Sequence, residues 1–254
     1  MLAAAVEAAR TAGRIQREHL RTAFEVRRKG AFDLVTEVDL ACERAAREVL
    51  ARLVPGTAVL GEEEGASGSG SGRWLLDPLD GTTNYAHGYP VFCVSIAWEE
   101  GGDVRLGAVY DPLREELFTA EQGRGARLDG RTIRTSGTAE LGEALLATGF
   151  PYDRDAHPRN YSEFRELTQR TQGVRRSGSA ALDLAYVACG RLDGFWEPGL
   201  KPWDLAAGAL LVREAGGGVT GYRGEPFTPY RENVVASNGT LHPALLQVLS
   251  ASPP

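Results

Sequence analysis

Trp74-Leu75-Leu76-Asp77-Pro78-Leu79-Asp80-Gly81-Thr82-Thr83-Asn84 is an apolar run that ends in two aspartates three residues apart, with Gly, Thr, Thr and Asn directly behind them. A short apolar run closed by turn residues reads as a buried strand. Pro78 offers no amide hydrogen to a ladder, so the strand is expected to stop there, which sets both carboxylates at its carboxyl end. Gly81-Thr82-Thr83 then reads as a helix start, whose free amides attract phosphate. One turn of chain thus offers hard oxygen ligands for a cation and amide donors for an anion, the combination that metal-assisted phosphate chemistry uses. Asp-Pro and Asp-Gly pairs are also ordinary turn chemistry, so the reading needs support from elsewhere in the chain.

Two segments supply it. Upstream, Val59-Leu60-Gly61-Glu62-Glu63-Glu64 is another apolar run ending in acid, although an acidic corner is often only solvated. Downstream, Lys201-Pro202-Trp203-Asp204 opens a helix that Gly216-Gly217 closes. Asp204 sits at or near its N-cap, and capping alone would also account for it.

Around these segments the patterning gives two opening helices, at residues 2–20 and 37–53, with a bend holding Lys29-Gly30 between them. Strands follow at 58–60 and 74–76. Between them, residues 65–72 (Gly-Ala-Ser-Gly-Ser-Gly-Ser-Gly) read as a flexible surface loop. Strands at 91–98, 104–110, 116–120 and 126–128 with tight turns suit an antiparallel meander. Beyond Thr138 strands at 144–147, 194–196, 218–220 and 234–236 alternate with helices at 159–171, 179–188, 203–215 and 241–249. An antiparallel half followed by an alternating half predicts an α/β (α+β) fold of two sheets layered with helices. The halves divide as 1–138, carrying Glu62, Asp77 and Asp80, and 139–254, carrying Glu197 and Asp204, within one compact catalytic unit.

The 254 residues are ample for a large core, and the formal charge of −6 argues against a protein built to coat nucleic acid. The N-terminal segment carries Glu7 early and has no basic leader, so it reads as an amphipathic helix rather than a signal peptide, and no apolar run is long enough for a membrane span. Cys42, Cys93 and Cys189 are odd in number and far apart, the usage of buried free thiols in a cytoplasmic protein.

The three acidic segments, in this order and at these separations, resemble the inositol monophosphatase family. Asp33-Leu34-Val35-Thr36-Glu37-Val38-Asp39 and Gly178-Ser179-Ala180-Ala181-Leu182-Asp183 resemble two further family segments, so the likeness covers nearly the whole chain. It implies the sugar-phosphatase fold, a layered α-β-α-β-α sandwich with an antiparallel N-terminal sheet and a mixed C-terminal one. It implies a Mg²⁺-dependent phosphomonoesterase acting on a small phosphorylated polyol or sugar, inositol 1-phosphate first, with a homodimer as the assembly. Fructose 1,6-bisphosphate, histidinol phosphate, NADP and 3'-phosphoadenosine nucleotides are alternative substrates among relatives. Some bacterial relatives act in RNA-processing or transcription complexes, which keeps a non-enzymatic role open.

The residues carry the same chemistry. All candidate ligands are oxygens, which favour Mg²⁺ or Mn²⁺ over Zn²⁺, and crowded carboxylates need cations to relieve their repulsion. The resemblance assigns Glu62, Asp77 and the Leu79 carbonyl to one ion, Asp77, Asp80 and Asp204 to a second, and Glu62 through water to a third. It assigns water activation to Thr82 paired with Asp39, phosphate binding to the Gly81 and Thr82 amides, and substrate hydroxyls to Asp80, Ala180 and Glu197. With no Cys or Ser nucleophile evident, direct attack by water is expected rather than a phosphoenzyme.

Overall fold

The computed structural model describes residues 1–22, 25–30, 33–152, 160–231 and 233–250. Helix α1 (Leu2–His19) leads to a hairpin of β1 (Val26–Arg28) and β2 (Leu34–Thr36), then to α2 (Glu37–Leu53). The hairpin lies where only a bend was expected; its β1 residues are all exposed, so no apolar alternation marks it. Strands β3 (Ala58–Gly61), β4 (Gly65–Ser67) and β5 (Gly72–Asp80) follow, then the short helix α3 (Thr82–Ala86). The meander is β6 (Cys93–Glu100), β7 (Asp103–Asp111), β8 (Glu116–Glu121), β9 (Ala126–Leu128) and β10 (Arg131–Thr132). These strands form one eight-stranded sheet in the order β10-β9-β8-β7-β6-β5-β3-β4, antiparallel except for the β3–β5 pair.

The remainder comprises β11 (Leu145–Thr148), α4 (Tyr161–Arg170), β12 (Gly173–Arg175), α5 (Ala180–Ala188), β13 (Gly194–Pro198), α6 (Pro202–Glu214), β14 (Gly218–Thr220), β15 (Asn233–Ser237) and α7 (His242–Leu249). Its five-stranded sheet runs β12-β11-β13-β15-β14, parallel at β12–β11–β13 and antiparallel beyond. Residue 159, where the sequence placed the start of a helix, and residues 251–254, the end of the second half, lie outside the described residues.

The layering follows from the two-residue period of the strands. Trp74, Leu76, Val94, Ile96 and Ala108 face one way and pack against α2 and against α1, whose Ala5, Ala8, Ala9 and Ala12 keep the contact close. Leu75, Cys93, Ala97 and Val109 face the other way and meet α5 and α6. Phe195, Val234 and Ala236 of the second sheet close the same core from beyond, while Leu146, Trp196 and Val235 face outward to α4 and α7. The order is therefore α-β-α-β-α. Because β5 is covered on both faces, it reads as a continuous apolar run rather than an alternating one. The three cysteines are free thiols, with Cys42 and Cys93 buried and Cys189 partly exposed.

Two expectations change. Pro78 does not end its strand: β5 continues to Asp80, with a register shift between the Asp77–Ser95 and Asp80–Cys93 pairs. A bulge asks for no amide hydrogen from the extra residue, so proline is tolerated there. The Gly/Ser stretch is not all loop: Gly65–Ser67 pairs with β3, leaving only residues 68–71 as connection.

Candidate active site

The β5 bulge turns both aspartates toward one cleft. Asp77 Oδ1 accepts the Leu79 amide at 2.9 Å, an Asx turn within the strand. Asp80 is held from the second half of the chain: its Oδ2 accepts Ser179 Oγ and the Ala181 amide, both at 2.7 Å, and its Oδ1 accepts the Ala180 amide at 3.3 Å. These are donors at the start of α5, where amides lack helical partners. Gly81, the N-cap of α3, has φ +103° and lies against the Val91 and Gly178 carbonyls, a backbone that a side chain would strain.

Asp39 sits one layer behind, fully buried in the first turn of α2. Its Oδ2 accepts the Thr36 amide at 2.8 Å in a capping box, and its Oδ1 accepts the Thr82 hydroxyl at 2.8 Å. The same hydroxyl stands 3.1 Å from the Leu79 carbonyl. Glu62 lies in the turn between β3 and β4. That turn is fixed by the buried Glu43 carboxylate, which accepts the Glu63 and Glu64 amides at 2.8 and 3.0 Å. Asp204 is the third residue of α6 rather than its cap, and its Oδ2 accepts the Lys201 amide at 2.8 Å. It therefore satisfies the amide of the N-cap residue from the third position and also lines the site.

A cavity of about 300 Å³ is lined by Glu62, Asp77, Leu79, Asp80, Gly81, Thr82, Ala180, Glu197 and Asp204, every expected site residue except Asp39. Asp77 shares the cavity with Glu62, Asp80 and Asp204. Burial first, then the charges of Glu62, Asp80 and Asp204, push the Asp77 carboxyl well above the usual range. Burial likewise raises Glu62, Asp80 and Asp204. Asp39 is raised by burial against the pull of its Thr36 and Thr82 hydrogen bonds. Glu197 is raised by burial and by the Asp183 and Asp204 charges. Lys29 offers the counter-charge, donating to Glu62 at 3.1 Å and Glu63 at 2.6 Å.

Among the described residues no three His, Cys, Asp or Glu side chains are set in a ready-made ion cage. The carboxylates turn instead to Lys29 and to the amides already named. The donor chemistry nevertheless fits Mg²⁺ or Mn²⁺: hard oxygens only, packed so that ionising one disfavours ionising the next. A cation relieves that conflict as a proton or Lys29 does in its absence.

Residues missed from sequence also shape the site. Gln16 is fully buried on α1, and its Nε2 donates to the Pro78 carbonyl at 2.7 Å. Its place in the stripe Ala5, Ala8, Ala9, Ala12, Gly13 was the available signal, a polar residue at a core position of a helix. Glu43 stands out equally among Cys42, Ala46 and Val49 of α2. Ser179 lay in a segment that the resemblance singled out, but its bond to Asp80 was not foreseen, and Cys93 on Asp80 and Phe150, Tyr152 and Arg176 on the cavity wall had no spacing to announce them.

The inositol monophosphatase family model matches residues 1–253. An inositol-1-monophosphatase of Synechocystis sp. is 50% identical over 90% of this chain and 81% of its own. The Nus factor SuhB of Pseudomonas aeruginosa is 47% identical over 98% of this chain and 95% of its own. Among solved structures, the inositol monophosphatase from Anabaena (Nostoc) sp. superposes with a TM-score of 0.90 at 46% identity, covering 100% of this chain and 96% of that one. The extragenic suppressor protein suhB from Bartonella henselae superposes with a TM-score of 0.95 at 40% identity, covering 99% of each chain.

Proposed function

We infer that this chain, which belongs to the inositol monophosphatase family of phosphatase hydrolases, hydrolyses inositol monophosphate to inositol and phosphate with Mg²⁺, Mn²⁺ serving as a substitute. The carrying observation is the set of buried and half-buried, mutually repelling carboxylates around Asp77, lining one cavity beside the Asp39–Thr82 hydrogen bond.

In this reading Glu62, Asp77 and the Leu79 carbonyl would hold one ion, Asp77, Asp80 and Asp204 a second, and Glu62 through water a third. Such ions, when bound, acidify a water and neutralise charge on the leaving oxygen. The chain's own residues do the rest. Thr82 Oγ1 positions the attacking water, and Asp39 accepts the proton that Thr82 relays. The raised pKa of Asp39 suits it to that role. The Gly81 and Thr82 amides receive phosphate oxygens, and Lys29 swings from Glu62 to screen added charge. Asp80, Ala180 and Glu197 line the side where the alcohol sits, with Glu197 accepting its hydroxyls. The chain acts as a homodimer in the cytoplasm; no described helix is long and apolar enough to cross a membrane.

The test is phosphate release with Mg²⁺ and with chelator, from inositol 1-phosphate, fructose 1,6-bisphosphate, histidinol phosphate, NADP, a 3'-phosphoadenosine nucleotide and p-nitrophenyl phosphate. Inositol 1-phosphate should give the highest kcat/KM. No Mg²⁺-dependent release from any of them would overturn the reading. The SuhB relatives support a second one, an accessory protein of a transcription complex. A role of that kind would survive Asp77→Asn, whereas phosphatase activity would not.

A further inference from the structure

Strands β11 and β13 run parallel, with Ala147 opposite Phe195 and Thr148 opposite Trp196. One step further along the same register brings Gly149 beside Glu197. Adjacent residues of paired strands send their side chains to the same face, so a side chain at 149 would occupy the space of Glu197. The geometry bears this out: a Cβ on Gly149 would stand 2.1 and 2.2 Å from the two Glu197 carboxylate oxygens. The φ of Gly149 lies outside the left-handed region, so the missing side chain is a matter of space and not of φ. Both residues line the cavity.

Gly149 is itself pinned. Asn160 Nδ2 donates to its carbonyl at 2.5 Å and to Thr148 Oγ1 at 2.7 Å. Trp196 Nε1 donates to Asn160 Oδ1, and Thr148 Oγ1 donates to the Trp196 carbonyl. Asn160 is 1% exposed and has φ +79°, a left-handed conformation that asparagine tolerates better than most residues. Although it stands at the N-cap of α4, its side chain makes no capping bond there. It is committed instead to the ends of the two strands that present Gly149 and Glu197.

We infer that Gly149, fixed by the Asn160–Thr148–Trp196 hydrogen bonds, sets how deep the Glu197 carboxylate lies and thereby selects the alcohol half of the substrate. Gly149 is a positioning residue in this scheme. It rests on the reading that Glu197 accepts substrate hydroxyls. A methyl group at 149 meets the free end of a flexible side chain, so the carboxylate moves into the cleft and the fold is kept. Phosphate esters that rely on a deep hydroxyl acceptor lose more than esters that have no hydroxyls.

The test compares kcat/KM for inositol 1-phosphate with that for p-nitrophenyl phosphate in wild type, Gly149→Ala, Glu197→Gln and the double variant. The ratio should fall at least tenfold in each single variant, and the double variant should be no more than threefold below Glu197→Gln alone, since both changes act through one carboxylate. Gly149→Ala/Glu197→Asp, which shortens the crowded side chain, should recover part of the ratio. Thr148→Val, which loosens the knot with little change of volume, should lower the ratio about threefold and serves if Gly149→Ala does not fold. If Glu197→Gln changes the ratio while Gly149→Ala and Thr148→Val do not, the inference is overturned and the hydroxyl role of Glu197 stands. If Glu197→Gln lowers both substrates equally, that role fails and the inference falls with it.

Discussion

The two oxygens of Asp39 take different partners, one the start of its own helix and the other the Thr82 hydroxyl. The capping box was legible, since an acid three residues after Thr36 signals a helix start. The second bond spans 43 residues of sequence and depended on the resemblance. Asp77 leads to a sharper expectation. Its carboxyl is pushed well up by burial and by Glu62, Asp80 and Asp204, so its charge works against folding until cations arrive. Asp77→Asn should lower kcat/KM by at least a hundredfold at saturating Mg²⁺. In divalent-free buffer near pH 7 the variant should melt no lower than wild type, because the amide removes one of the repelling charges. Activity within tenfold of wild type would remove Asp77 from the ligand set. Gln16 supports the same bulge from behind. Gln16→Met keeps the volume and leaves the buried Pro78 carbonyl without its donor, a loss of about 1–3 kcal/mol. Melting should fall by several degrees, and the Mg²⁺ concentration for half-maximal rate should rise severalfold. An unmoved Mg²⁺ curve would confine Gln16 to a packing role.

At the scale of elements, the apolar run before Asp77 was legible because a strand covered on both faces is apolar throughout, while its end was not. Proline forbids a ladder donor but permits a bulge, and only the partner strand decides which occurs. The β1–β2 hairpin was hidden for the opposite reason: β1 is exposed throughout and carries no alternation. The Gly/Ser stretch misled by composition, since β4 is held by backbone pairing and by Arg47, which donates to Ser67 Oγ and the Gly65 carbonyl at 2.6 Å. This changes what a deletion should do. Strands β4 and β5 flank β3 on opposite sides. Residues 68–71 must therefore cross about 10 Å, two strand spacings, which takes at least about three residues. Removing residues 67–70 leaves Ser71 alone to bridge, so β4 has to peel from β3. The turn carrying Glu62 lies between those two strands. The deletion should lower the melting temperature and also raise the Mg²⁺ requirement, whereas one glycine inserted after Gly70 should leave both near wild type. A deletion that melts like wild type would show that β4 contributes nothing to holding Glu62.

Across the whole molecule, the proposed site is divided between the sheets: the proposed ion ligands Glu62, Asp77 and Asp80 come from the first and Asp204 from the start of α6, while Glu197, the proposed hydroxyl acceptor, comes from the second. Helix α6 lies between the sheets and is buried from Leu205 to Val212, apolar nearly all round as a central helix must be. Outside the core, Tyr230 donates to Glu99 at 2.6 Å, and Arg73 donates to the same carboxylate at 2.7 Å with its guanidinium 5.2 Å from the Tyr230 ring, tying the segment before β15 to β5 and β6. A shared core and a shared site predict one cooperative unit rather than two separable halves. Ions that bind only the folded site stabilise it by an amount that grows with the logarithm of their concentration, and here that gain should reach both sheets together. Trp74 reports on the first sheet and Trp196 on the second, each fully buried. Variants with Trp98 and Trp203 replaced by phenylalanine and keeping only Trp74 or only Trp196 should unfold in urea at the same midpoint, and Mg²⁺ should move both midpoints upward by the same amount. Asp77→Asn in either background should remove the Mg²⁺ shift from both probes at once. Midpoints that separate, or a Mg²⁺ shift confined to the Trp74 probe, would mean that the halves before and after residue 138 fold independently and that Asp204 contributes little to binding the ions.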